Sequence, residues 1–127
     1  MLSMQEVNIL GQILNDTYGA SSTTVSPTCS IKYTMQGDVI IFTYSTICNI
    51  VMGINPRDQV RKQEEESTVK IKEKVKSVEE AFKAVTGKKL GLKEIMSDDS
   101  IEIISMSPHN PKRTAYYRRK TSCKIGG

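Results

Sequence analysis

Residues 29–48 read CSIKYTMQGDVIIFTYSTIC, and they decide the fold. The first half alternates strictly, with Cys29, Ile31, Tyr33 and Met35 on one face of an extended chain and Ser30, Lys32 and Thr34 on the other. The second half is β-branched and aromatic, the composition of a strand. Gly37-Asp38 between them suits a two-residue hairpin turn, which pairs Gln36 with Val39. Counting outward, Met35 faces Ile40, Tyr33 faces Phe42, Ile31 faces Tyr44 and Cys29 faces Thr46. Both apolar sets then share one face. A slip of one residue would turn either set to solvent, so the pattern pins the register.

A hairpin with one apolar face needs a cover. Upstream, Val7, Leu10, Ile13 and Leu14 fall at helical spacing and predict a short helix over residues 4–15. Residues 15–28, NDTYGASSTTVSPT, are rich in turn formers and read as a loop. Downstream, Asn55 can cap a helix whose first position suits Pro56, and Gly87 suits the residue after its end at Thr86. Ile71, Val75, Val78, Phe82 and Val85 make the buried stripe of its later half. Extended backwards, the stripe meets Ser67, Glu64 and Val60, so the first half is largely polar. It projects into solvent, packs on a polar partner, or frays.

Residues 90–96 (LGLKEIM) and 100–107 (SIEIISMS) read as two strands on either side of an SDDS turn at 97–100. After PHNP at 108–111, a last strand carries Ala115, Tyr117, Thr121, Cys123 and Ile125 on one face. Tyr116, Arg118, Lys120, Ser122 and Lys124 stand on the other. Residues 1–127 thus predict a single α+β domain: N-terminal helix, β-hairpin, long helix, then antiparallel strands in one sheet covered by helix on one face. Its expected core is Ile31, Tyr33, Phe42, Tyr44, Ile71, Val75, Val78, Phe82 and Ile103.

With no tryptophan and two phenylalanines, that core rests on aliphatic residues with tyrosines at the margin. No apolar run approaches the ~20 residues that span a bilayer, and the start lacks a basic segment followed by a long apolar block. The expectation is a chain without membrane partners that is not secreted. Three cysteines, Cys29, Cys48 and Cys123, lack paired spacing and point to a reducing compartment. Cys29 and Cys48 read as small core hydrophobes.

Several chemistries lack their residues. The one histidine, His109, stands between prolines in a loop, which leaves a zinc site short of ligands and a Ser or Cys nucleophile short of a base. No GxxxxGK[ST] phosphate loop and no G-x-S-x-G elbow occurs. Asp98-Asp99 reads as turn chemistry before it reads as a metal-binding pair. Glu64, Glu65 and Glu66 beside Arg61 and Lys62 read as a solvated helix face. The expectation is a non-enzymatic protein with no catalytic residue, metal or cofactor.

Positive charge is concentrated at one end. The net charge is +4, and the last 17 residues carry +6, which leaves net −2 (+4 less +6) on residues 1–110. Tyr116, Arg118, Arg119, Lys120 and Lys124 are the candidate partner-binding residues. Such a row serves three roles: docking to protein subunits of the same or another kind, gripping nucleic acid through phosphates and base stacking, or a solvated strand edge that resists aggregation. The absence of a broad positive field favours protein docking over nucleic acid.

The stretches LNDTYGASSTTVSPTCSIKYT (14–34) and NPKRTAYYRRKTS (110–122) resemble small, mostly uncharacterised virion and assembly proteins of contractile-tailed marine phages. The resemblance leaves the long helix uncovered. It implies a virion or assembly component, found in the virion or host cytoplasm, and carries over no catalytic residue.

Overall fold

The computed structural model describes residues 2–18, 22–26, 29–51, 53–104 and 112–126. Helix α1 (Met4–Tyr18) is followed by strands β1 (Ser22–Ser26), β2 (Cys29–Gln36) and β3 (Val39–Val51). Helix α2 (Pro56–Thr86) then leads to β4 (Lys93–Ile103) and β5 (Lys112–Lys124). The strands form one antiparallel sheet in the order β1-β2-β3-β5-β4, with both helices on one face, an α+β fold.

The β2–β3 hairpin has the register its alternation predicts, from Gln36 opposite Val39 to Cys29 opposite Thr46. Gly37 occupies its turn at φ 61°, a conformation that costs a side-chain-bearing residue about 1–2 kcal/mol. Strand β3 continues to Val51, where the amide of Gln59 extends the pairing. Its Oε1 accepts from the Val51 N–H at 2.6 Å, and its Nε2 donates to the carbonyls of Val51 and Ile54 at 3.0 Å. The end of β3 is thereby tied to the first turn of α2.

Helix α2 begins and ends where its caps predict. Asn55 Oδ1 accepts from the Arg57 N–H at 2.9 Å, and Pro56 takes the first helical position. At the other end Gly87 adopts φ 73° and donates its N–H to the Lys83 carbonyl at 2.8 Å. The polar first half neither frays nor projects. Val60 and Ser67 are fully buried against the sheet, so the polar partner of this half lies within the chain itself. The stripe continues through Ile71, Val78 and Phe82, with Val75 partly buried. It stops there: Val85 is 63% exposed. At 31 residues the helix is roughly 46 Å long.

Four expectations need correction. Residues 15–28 are not all loop: α1 extends to Tyr18, and Ser22–Ser26 form β1, paired with β2. The sequence of β1, STTVS, is β-branched but short and without apolar alternation, so it does not stand out from the turn formers around it. The SDDS segment is not a turn. β4 runs through it as one strand, with Asp98 opposite Lys120 and Asp99 opposite Arg119, and Arg57 of α2 holds Asp99 at 2.6 Å. Ile103 is not core. It is 39% exposed at the end of edge strand β4, beyond Asp99, which lies under the first turn of α2. Val7 is also outside the core at 37% exposed, whereas Leu10, Ile13 and Leu14 are buried.

The rest of the core is as expected, except that Tyr44 and Tyr117 are fully buried within it rather than at its margin. Ile31, Phe42, Tyr44, Ile71, Val78 and Phe82 are buried, and Tyr33 packs at the margin. Cys29, Cys48 and Cys123 are free, buried thiols.

Candidate binding face of the sheet

Side chains on a strand alternate between faces, so the helix-covered face fixes what the other face shows. Tyr117, Thr121 and Cys123 of β5 are buried beneath the helices. Their neighbours Tyr116, Arg118, Lys120 and Lys124 point away, onto a face that no described helix covers. The structure brings these four candidates together. It does not bring Arg119 with them: its parity is that of Tyr117, and it lies half-buried on the helix side, paired in register with Tyr44 and Asp99.

β5 is not an edge. It lies between β3 and β4, which places its outward row inside the sheet, and β1 and β4 form the two edges. The solvated-edge reading of the basic strand is therefore set aside.

The register shows what surrounds the row. One line across the sheet runs Lys32, Thr43, Lys120 and Asp98, and the next Ser30, Ser45, Arg118 and Ser100. A third joins Ile47, Tyr116 and Glu102. Long cations thus rise from a floor of small hydroxyl residues, with the 45%-exposed Ile47 beside the Tyr116 ring. Lys32 belongs to this cluster although it lies far from the terminal strand in sequence. The hairpin register and the sheet order together put it there; sequence alternation gave only its face. Among the described residues, neither Arg118 nor Lys120 has an ion-pair or hydrogen-bond partner, so both heads are available. Lys124 lies 3.9 Å from Asp38 at the hairpin turn.

The helix-covered face holds a different polar set. Arg57 of α2 reaches Asp99 of β4 at 2.6 Å and Glu64 at 3.5 Å. Beneath it Ser67 Oγ lies 3.4 Å from the Tyr117 hydroxyl and donates to the Glu64 carbonyl at 2.8 Å. Burial pushes the Tyr44 hydroxyl far above its ordinary range, and its ring meets that of Tyr117 at 6.4 Å. These groups join helix to sheet. Asp98 and Asp99 project from opposite faces of β4, and Asp99 is held by Arg57, so the two carboxylates do not converge. Among the described residues no three His, Cys, Asp or Glu side chains gather as a metal site, and no helix is long and apolar enough to cross a membrane. His109 lies outside the described residues.

Comparison with protein-family models, with curated proteins and with solved structures finds no match to this chain.

Proposed function

We propose that this chain is a non-enzymatic assembly subunit, of the kind found in a phage virion, that docks on an acidic protein surface through the uncovered face of its sheet. One observation carries the reading: the Tyr116–Arg118–Lys120 row lies on an interior strand, at the middle of a face free of described helices, and its cations have no partner among the described residues. Side chains presented on a hydrogen-bonded sheet need little backbone ordering on docking. Arg118 and Tyr116 are the residue types that dominate binding energy at protein interfaces.

A nucleic-acid partner fits the same row less well. Lys32, Arg118, Lys120 and Lys124 share the face with Asp98 and Glu102, and residues 1–110 are net negative (+4 less +6). Affinity for a phosphate backbone grows with the number of phosphates neutralised, and few are within reach here.

The test is Arg118→Glu combined with Lys120→Glu, two exposed positions. Incorporation into the native assembly, or self-association followed by light scattering, is expected to be lost. Oligonucleotide binding, weak in the parent, is expected to stay weak. Tight, steeply salt-dependent DNA or RNA binding that the pair abolishes while assembly persists assigns the face to nucleic acid instead.

A further inference from the structure

At one end of the fold, five segments distant in sequence enclose a cleft of about 1040 Å³. The first turn of α1, the β2–β3 turn, the end of α2, the start of β4 and the end of β5 all contribute. We infer that this cleft is a docking site for an acidic amphipathic helix of a partner protein, adjoining the sheet face at Lys124 but distinct from its Arg118–Lys120 row.

The floor is apolar. Phe82, Leu90 and Ile125 form its buried base, and Val7 and Ile95 carry the apolar surface out to the rim, where they are 37% and 53% exposed. Ile95 reaches this position because of an irregularity. The β4–β5 register shifts between Glu94 and Met96, which leaves Ile95 as the additional residue of a bulge. Bulges re-aim side chains, and this one turns a large aliphatic group toward the cleft rather than into the ladder.

The rim is cationic. Lys88, Lys89, Lys93 and Lys124 line the opening against two carboxylates, Glu6 and Asp38. Lys88 lies 3.3 Å from Glu6, and Lys124 lies 3.9 Å from Asp38. Lys89 and Lys93 have no such partner among the described residues. Lys93 is moreover directly opposite Lys124 in the register, a like-charge pair that an isolated sheet disfavours. An arriving carboxylate relieves that repulsion. An occupant with an apolar stripe flanked by acids therefore matches floor and rim together.

Shape favours a helix over a small amphiphile. Sites for small ligands bury most of the ligand surface. This cleft instead opens onto exposed Val7 and Ile95, which suits an occupant whose back remains in water.

The probe is a fluorescein-labelled synthetic peptide of roughly 14 residues, about four turns, with leucines on one helical face and glutamates flanking them. Its controls are a scrambled peptide of equal composition and one with Glu replaced by Gln. Anisotropy should show saturable binding roughly tenfold tighter than either control. Lys89→Glu with Lys93→Glu should weaken it by about tenfold, as two reversed rim charges do, and Ile95→Ser should weaken it severalfold. All three positions are exposed, so these variants are expected to keep the parent melting temperature. The Arg118→Glu/Lys120→Glu pair should leave peptide affinity unchanged, which separates this site from the sheet face. The inference is overturned by equal binding of the scrambled peptide, by no saturation, or by indifference to Ile95→Ser and the lysine pair. It is also overturned if stoichiometric laurate displaces the peptide, which assigns the cleft to a small anionic amphiphile. Loss of peptide binding in the Arg118/Lys120 variant moves the site to the sheet face.

Discussion

Arg57 Nη1 lies 2.6 Å from Asp99 Oδ1, across 42 residues of sequence, and this contact joins the first turn of α2 to the middle of β4. It accounts for two features together: a strand that passes through consecutive aspartates, and a polar helix segment held on a sheet. Arg57 is 52% exposed and Asp99 21%, so water screens much of the attraction. A double-mutant cycle of Arg57→Ala and Asp99→Ala should give a coupling of roughly 0.5–1 kcal/mol, smaller at high salt. Zero coupling, read from urea unfolding, would mean that the pair merely accompanies the packing of α2.

Deeper in the same layer, the Tyr117 hydroxyl has the Ser67 oxygen at 3.4 Å, with both residues fully buried. Tyr117→Phe keeps the ring and its contact with Tyr44 while removing one polar atom. The expected loss is about 0.5–1.5 kcal/mol, that of a single internal hydrogen bond. Ser67→Leu should cost more, roughly 1–3 kcal/mol, because the helix–sheet gap there is sized for a small side chain. A stabilising Ser67→Leu would show that the gap is underpacked.

Phe82 is the largest apolar side chain that α2 buries. Phe82→Ala should cost roughly 3–5 kcal/mol by lost transfer energy and cavity formation. Ile103→Ala, at a 39%-exposed position, should stay within about 0.5 kcal/mol of the parent. Chemical denaturation of the two variants compares a residue inside the helix footprint with one outside it.

These contrasts show which parts of the molecule were legible in the sequence. The β2–β3 register was, because two alternating apolar strands and a Gly37-Asp38 turn leave one consistent pairing. The caps Asn55 and Gly87 were legible because local chemistry alone defines them. Strand β4 was not legible because turn propensity at Asp98-Asp99 is local, whereas the pairing with β5 and the Arg57 contact come from distant segments. The outward row Tyr116, Arg118, Lys120 and Lys124 followed from alternation, but the same rule placed Arg119 inside. Lys32 joined the row only once strand order was known, and the lysine-rimmed cleft needed five segments to meet. One signal was present and passed over: Ser3-Met4-Gln5-Glu6 has the S-x-x-E form of a helix-starting capping box.

Burial governs the three cysteines. It pushes the Cys123 thiol up to about 11 and raises that of Cys48. The thiolate is the reactive form, so at pH near 8 little of either is available even where reagent can reach it. Labelling with a chromogenic disulfide reagent should be slow in the native protein and complete in denaturant. Labelling should also track unfolding, with Phe82→Ala accelerating it in proportion to its destabilisation. Fast native labelling of Cys123 would mean that the end of β5 opens independently of the core.

The last prediction concerns the capping box that starts α1. Glu6 Oε1 accepts the Ser3 N–H at 3.1 Å, and Ser3 Oγ accepts the Glu6 N–H at 3.1 Å. The hydrogen bonds from Ser3, backbone first, hold the Glu6 carboxyl below its ordinary value of 4.5, and Lys88 adds to the effect from across the cleft. The native state therefore binds this proton less readily than the unfolded chain does. The resulting stabilisation is fully present above pH 4.5 and falls away as the pH drops through the depressed native value. Glu6→Gln keeps an oxygen to accept from Ser3 but cannot titrate or pair with Lys88. The parent should exceed this variant in stability at neutral pH, with the margin shrinking below pH 4.5. Thermal melts of both proteins across that range read it directly. A margin that persists unchanged in acid would locate the contribution of Glu6 in packing rather than in its charge.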